Sequence, residues 1–237
     1  MLSNWQLLSQ VFTAETIMTP WQEVLFWDQD TAQEPVLEKA RHQFFDLLPV
    51  ISAGRVSGLI EVREERYSDL TLNWLVSRDT PIPDLIDLFA TSVQKGFLVL
   101  FGQKVIGLVT VADINKMPAR IYLYNLIAEL ETKLAAAIYE HYNGDDNAVL
   151  AKLGKTETTE TIRAINPSMQ TTGVDIGALQ LLTLSDLVNV LAKTRDLFQD
   201  IGFRSRNHVE DRLNGIVNYR NNVMHSVRPL LTTSREV

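Results

Sequence analysis

One period governs the first half of this chain. Setting Gly58 over Gly107, an offset of 49 residues, lays "LPVISAGRVSGLIEV" over "FLVLFGQKVIGLVTV" with matching apolar positions and a matching turn. A repeat of this length is a duplicated supersecondary unit whose copies bury their apolar faces against each other. In each copy two apolar runs flank a short turn, "AGR" and then "GQK", which predicts a β-hairpin. A helix is predicted ahead of each hairpin. Val36, Leu37, Ala40 and Phe44 stand at helical spacing before the first, and Leu85, Ile86, Phe89 and Val93 before the second. Each unit therefore reads helix, strand, turn, strand, helix. Each also opens on a short extended segment, "TIMTP" near residue 18 and "LVSRDTPI", which holds Thr80 and Pro81.

The second half carries a helical period throughout. "MPARIYLYNLIAELETKLAAAIYEHYNG" predicts one long amphipathic helix striped by Leu123, Ile127, Leu130, Leu134 and Ile138, with Pro118 at its start and Gly144 after its end. One or two short helices follow, then a loop in "PSMQTTGVDIGAL". "TLSDLVNVLAK" is a helix capped by Thr183 or Ser185, "TRDLFQDIGF" continues or follows it, and "SRNHVEDRLNGIVNYRNNVMH" is the last helix, capped by Ser205. Four or five helices on short links predict a small bundle. The fold class is α+β: a module at 1–118, in units of about 10–66 and 67–118, then an all-helical domain at 119–237.

Composition narrows the chemistry. A hydrophobic fraction of 46% suits a core held without disulfides, and the absence of cysteine excludes thiol nucleophiles and zinc–thiolate sites. The histidines (His42, His141, His208, His225) are scattered, without metal-site spacing. Neither a signal peptide nor a membrane span is legible, so a cytoplasmic protein is expected. The net charge of −7 argues against a surface devoted to nucleic acid. Residues 204–237 depart from it, with six arginines against three acids.

The repeat resembles a tandem pair of CBS domains (a Bateman module), on "TIMTP" at the first opening, "GLVTVADI" (107–114) at the second exit, and the duplication itself. The resemblance implies two units packed sheet to sheet about a pseudo-twofold axis, with clefts that take an adenine nucleotide (AMP, ADP or ATP) as a regulatory ligand. The implied ligand contacts are Thr110, Asp113, Thr80 and Pro81. A strand ending in Thr110 and Asp113 offers a hydroxyl and a carboxylate where a helix begins, the first for phosphate and the second for ribose hydroxyls. Asp113 is equally placed to cap that helix, and one residue can do both. At the first exit Glu61 and Glu64 replace this pair and would repel a polyphosphate.

On a helical wheel the last helix gathers Val209, Leu213, Ile216, Val217, Met224 and Val227 on one side, with Arg220 in the middle of them. A guanidinium there must snorkel, pair with an acid such as Asp186 or Glu131, or face a partner. Asn221 and His225, four apart, share the flank. "RNNVMH" resembles the R-x4-H motif of HEPN domains. That resemblance implies a homodimeric, metal-independent endoribonuclease. His225 would move protons, Arg220 hold the scissile phosphate, and Asn221 orient a partner group. An imidazole titrating near neutrality and a cation suffice for cleavage by the RNA's own 2′-hydroxyl, with no catalytic cofactor. Arg204, Arg206, Arg212 and Arg228 would track phosphates. The alternative is a non-catalytic regulatory or dimerisation protein, with His225 a cation at the helix C-terminus.

Overall fold

The computed structural model describes residues 10–154, 157–162, 177–225 and 227–231. The predicted loop at 167–179 lies, except for its last three residues, outside them. The chain forms two compact units, one from residues up to 122 together with the segment from Pro229, the other from Leu123–Arg228.

In the first unit the 49-residue offset holds element by element. Helix α2 (Gln33–His42) matches α3 (Ile82–Thr91), strand β3 (Leu47–Ser52) matches β7 (Gly96–Phe101), and β4 (Arg55–Glu61) matches β8 (Lys104–Thr110). The preceding elements are α1 (Ala14–Ile17), β1 (Thr19–Pro20) and β2 (Trp27–Asp28), and β5 (Arg66–Asp69) and β6 (Leu75–Ser77) lie between the repeats. Both hairpins carry a register shift at the same place, between Val50 and Ile51 and between Val99 and Leu100. Two four-stranded sheets result, ordered β2-β3-β4-β5 and β1-β8-β7-β6. Val24, Leu47, Leu59, Trp74, Leu98 and Leu108, drawn from both repeats, form one buried cluster. Burying such a side chain is worth about 1.5–3 kcal/mol, so neither repeat holds this core alone.

Two expectations change here. The first repeat exits into strand β5, not a helix. The stretch after Val62 lacks apolar residues at helical spacing, turns at Glu65 (φ +51°), and pairs antiparallel with β4, Gly58 opposite Asp69. The two openings are also not equivalent as aligned. β1, in "TIMTP", pairs antiparallel with β8 of the second repeat, just as β5 pairs with β4 of the first. Each repeat thus follows a strand lent to the other's sheet. β6, in "LVSRDTPI", is instead the counterpart of β2, and both pair in parallel with the first hairpin strand.

Helix α4 (Met117–His141), predicted as the long connector, spans 25 residues, about 37 Å at 1.5 Å per residue. Ile127, Leu134 and Ile138 of its stripe are buried. The second unit continues with α5 (Asp146–Leu153), a helical turn at 157–162, α6 (Leu184–Lys193), α7 (Arg195–Asp200) and α8 (Arg206–Met224). Thr183 caps α6 in a reciprocal capping box with Asp186, and the Ser205 hydroxyl caps α8 by accepting from His208 N–H at 3.2 Å. α8 packs on α6.

Candidate functional site

β8 ends at Thr110, and the chain turns at once into the short helical segment Val111–Asn115. The Asp113 carboxylate folds back on this turn. Its Oδ2 accepts from Thr110 N–H at 2.6 Å and from the Thr110 hydroxyl at 3.0 Å, and its Oδ1 pairs with Lys116 Nζ at 2.7 Å. Lys116 also donates to the carbonyls of Ile17, at 2.6 Å, and Met18, at 3.2 Å, tying the lead-in to β1 down beside the turn. The N-cap is Thr110, not Asp113 as the cap reading had it; Asp113 stands three residues on and answers that cap with its carboxylate, and it is buried at 6% exposure.

That turn borders a cavity of about 240 Å³. Thr110, Ala112 and Asp113 form one wall, Thr19 and Glu23 another, and Phe44, Phe45 and Asp46 the third. Among the described residues no lysine or arginine lines it. Phe44 and Phe45 were not legible as site residues. They close α2 in a Schellman arrangement, Phe45 N–H bonding to the Ala40 carbonyl at 2.9 Å and Phe44 N–H to that of Arg41 at 3.1 Å. The position that normally takes glycine holds Phe44, at φ +56° and 87% exposed. Such strain collects at functional sites. The only signal in the sequence is a mismatch between repeats, Phe44-Phe45 standing opposite Val93-Gln94.

Thr80 and Pro81 do not line this cavity. The Thr80 carbonyl accepts from Ala14 N–H at 2.8 Å, Pro81 bridges Thr13, and Pro81 precedes α3. At the first exit, Glu61 and Glu64 are already neutralised. Glu61 is paired with Arg66, and Glu64 lies 2.8 Å from Lys95. The bond from Lys95 holds the Glu64 carboxyl below the usual glutamate range.

In the second unit Arg220 does fall within the apolar stripe, and it finds an acid. Its Nε donates to Glu131 Oε1 at 3.2 Å, both side chains being about seven-tenths buried (29% and 28% exposed). Asp186, the other acid considered, is held in the α6 cap. Two expectations are corrected. The stripe runs through Val209, Leu213 and Val223, leaving Met224 and Val227 exposed. The helix stops at Met224, and His225 turns to extended backbone (φ −103°, ψ 101°), so the four-residue spacing no longer sets its side chain beside Asn221. Asn221 and His225 are exposed, as are Arg204, Arg206, Arg212 and Arg228. Arg206 is paired with Glu210 at 2.7 Å, one turn along the helix. Among the described residues no cluster of three or more His, Asp or Glu is arranged to hold a metal, and no helix is long and apolar enough to cross a membrane.

No protein-family model matches the sequence, and no curated protein matches it. Solved structures similar to the N-terminal part of the chain are CBS-domain pairs. CBSX2 in complex with AMP is 18% identical over 46% of this chain and 98% of its own, with a TM-score of 0.40. A CBS-domain pair with bound AMP from Klebsiella pneumoniae is 20% identical over 44% and 94%, with a TM-score of 0.36. The CBS domain of the bacterial CNNM/CorC family Mg2+ transporter in complex with ATP is 16% identical over 46% and 89%, with a TM-score of 0.38. The nucleotides belong to those proteins.

Proposed function

We propose that the first unit is a CBS-like regulatory module that binds an adenine nucleoside or its monophosphate in the cavity at Thr110 and Asp113, and that it governs a non-catalytic helical domain. One observation carries the reading: the turn that ends the second repeat faces exposed aromatic side chains across a small cavity. Phe44 and Phe45 offer faces for a purine, and the Thr19 and Thr110 hydroxyls and the Asp113 carboxylate offer partners for a ribose. At about 240 Å³ the cavity is smaller than the roughly 300–1,000 Å³ typical of drug-sized ligands, which favours one nucleoside over anything longer. Of the carboxylates on its walls, Asp113 is paired with Lys116 and Asp46 with Arg63, and no cation among the described residues lines the cavity, so Glu23 repels each added phosphate and nothing there compensates it.

Regulation has a physical path. Asn115 shares the turn with Asp113, and its side chain accepts from Leu230 N–H at 2.6 Å and Leu231 N–H at 2.9 Å. Leu230 follows His225 by five positions, so a ligand that shifts the turn pulls on the segment leaving α8. The effect exists only if the ligand binds two arrangements of that turn unequally.

Isothermal titration of adenosine, AMP, ADP and ATP tests the reading, with Ala112→Trp to fill the cavity from an exposed wall position. Affinity is expected to fall from AMP to ATP and to vanish in Ala112→Trp. Binding that is tightest for ATP, or that survives the tryptophan, sinks it.

A second reading is the metal-independent endoribonuclease, acting as a homodimer on RNA through Arg220, Asn221 and His225. It draws on the exposure of Asn221 and His225 together at the end of α8. The Arg220–Glu131 pair weighs against it, because a phosphate must compete with that carboxylate. Wild type and His225→Ala, incubated with mixed RNA in EDTA, separate the two. Fragments with 2′,3′-cyclic phosphate ends from wild type alone establish the nuclease, and identical behaviour of the two proteins leaves the helical domain non-catalytic.

A further inference from the structure

The first unit holds a second, larger cavity at the hairpin turns. It measures about 640 Å³ and its lining is nearly symmetric. Ile51 and its counterpart Leu100, Val56 and its counterpart Val105, and Arg55 and its counterpart Lys104 all line it, each pair 49 residues apart. The cavity therefore sits where the two repeats meet. Trp21, Leu70 and Leu75 complete the apolar wall, three half-buried side chains packed on the core cluster.

Its charge is the opposite of the other cavity's. The protein carries −7 overall, yet among the described residues no carboxylate lines this space and two cations do. Neither Arg55 nor Lys104 has an ion-pair partner among the described residues, whereas Arg41, Arg63, Arg66, Arg78 and Lys95 are all paired. Exposed apolar wall costs free energy while it faces water. Two unpaired cations at its edge supply orientation and charge recognition for a ligand that covers it.

We infer that this cavity binds an anionic amphiphile, an apolar body lying on Trp21, Leu70 and Leu75 with a carboxylate or phosphate headgroup between Arg55 and Lys104. A volume of about 640 Å³ lies within the range of small-molecule sites. The site stands on different residues from the adenine reading and does not depend on it. β4 and β8 each give one cation from their first residue, so the headgroup bridges the repeats and stiffens their mutual packing.

The test uses two fluorescent probes with nearly the same body, 8-anilinonaphthalene-1-sulfonate, which is anionic, and N-phenyl-1-naphthylamine, which is not. Arg55 and Lys104 are the exposed first residues of β4 and β8, so Arg55→Gln with Lys104→Gln is expected to leave the thermal melt unchanged. The double variant is expected to bind the sulfonate at least tenfold more weakly and the neutral probe as wild type does. Raising salt is expected to weaken sulfonate binding in wild type only. Val105→Trp, which fills the cavity, is expected to lose both probes. Octanoate and octyl phosphate then compete against bound sulfonate to separate the two headgroups. Sulfonate affinity that the double variant retains, or displacement by neither octyl compound, overturns the inference.

Discussion

Gly107 lies opposite Pro20 where β1 is laid against β8. A Cβ placed there would stand 2.7 Å from the Thr19 carbonyl oxygen and 2.6 Å from Met18 Sδ. The sulfur can swing away, but the carbonyl is backbone, so Gly107→Ala must push β1 outward. Gly58, 49 positions earlier, meets the same constraint from β5, its Cβ falling 2.5 Å from the Ser68 carbonyl. Overpacking of this kind costs about 1–3 kcal/mol. At about 4 °C per kcal/mol for a unit of this size, Tm falls by roughly 4–12 °C. Because Thr19 lines the smaller cavity, binding there weakens as well.

The control is Gly215→Ala in α8. Its Cβ meets nothing within 4 Å, and its φ is not positive. Removing a helix-interior glycine is worth about 0.5–1 kcal/mol, so that variant should melt higher. Calorimetry of both variants at one scan rate decides. If Gly107→Ala melts with wild type, the lent strand does not pack as described, and the glycine serves ligand approach instead. A drop in Gly215→Ala would mean that the face of α8 around it is covered.

Three further outcomes are expected. Phe44→Gly should raise stability by about 0.5–1 kcal/mol, the left-handed strain of roughly 1–2 kcal/mol outweighing glycine's entropy in the unfolded chain, and should weaken adenosine binding by titration. A double-mutant cycle with Arg220→Met and Glu131→Gln should give a coupling of about 1 kcal/mol, modest because both side chains keep some solvent contact (29% and 28% exposed), and the double variant should stay folded by circular dichroism. Glu64 should titrate by NMR below the ordinary glutamate range, because Lys95 bonds its charged form. Its contribution to stability is then complete above the ordinary pKa of about 4.3, and is lost as pH falls through the lowered folded value. Lys95→Ala should raise the titration toward the ordinary range, the charge of Arg66 and a backbone hydrogen bond still holding it down.

The hairpins, both repeat helices and the caps at Thr183 and Ser205 were legible because each is decided by residues near in sequence. The loan of β1 was not. Thr19–Pro20 is too short to carry a period, and its partner strand is chosen by tertiary packing alone. The apolar stripe of α8 was misplaced near its end for a related reason. Val223 and Met224 lie on the same side of a helical wheel, and only burial separates them. The sites follow a different logic, visible once the repeats are overlaid. Where the copies agree, as at Val50 and Val99 or Leu59 and Leu108, the residues are buried core. Where they disagree, as at Phe44 and Val93, Asp46 and Lys95, or Thr110 and Glu61, one cleft between the copies stays open and its counterpart closes with ion pairs. Duplication makes two equivalent clefts, and divergence of a few charges leaves only one of them open. The cavity at the hairpin turns escapes that divergence because it is shared. Arg55 and Lys104 keep the same charge in both copies, so each repeat gives its lining one cation.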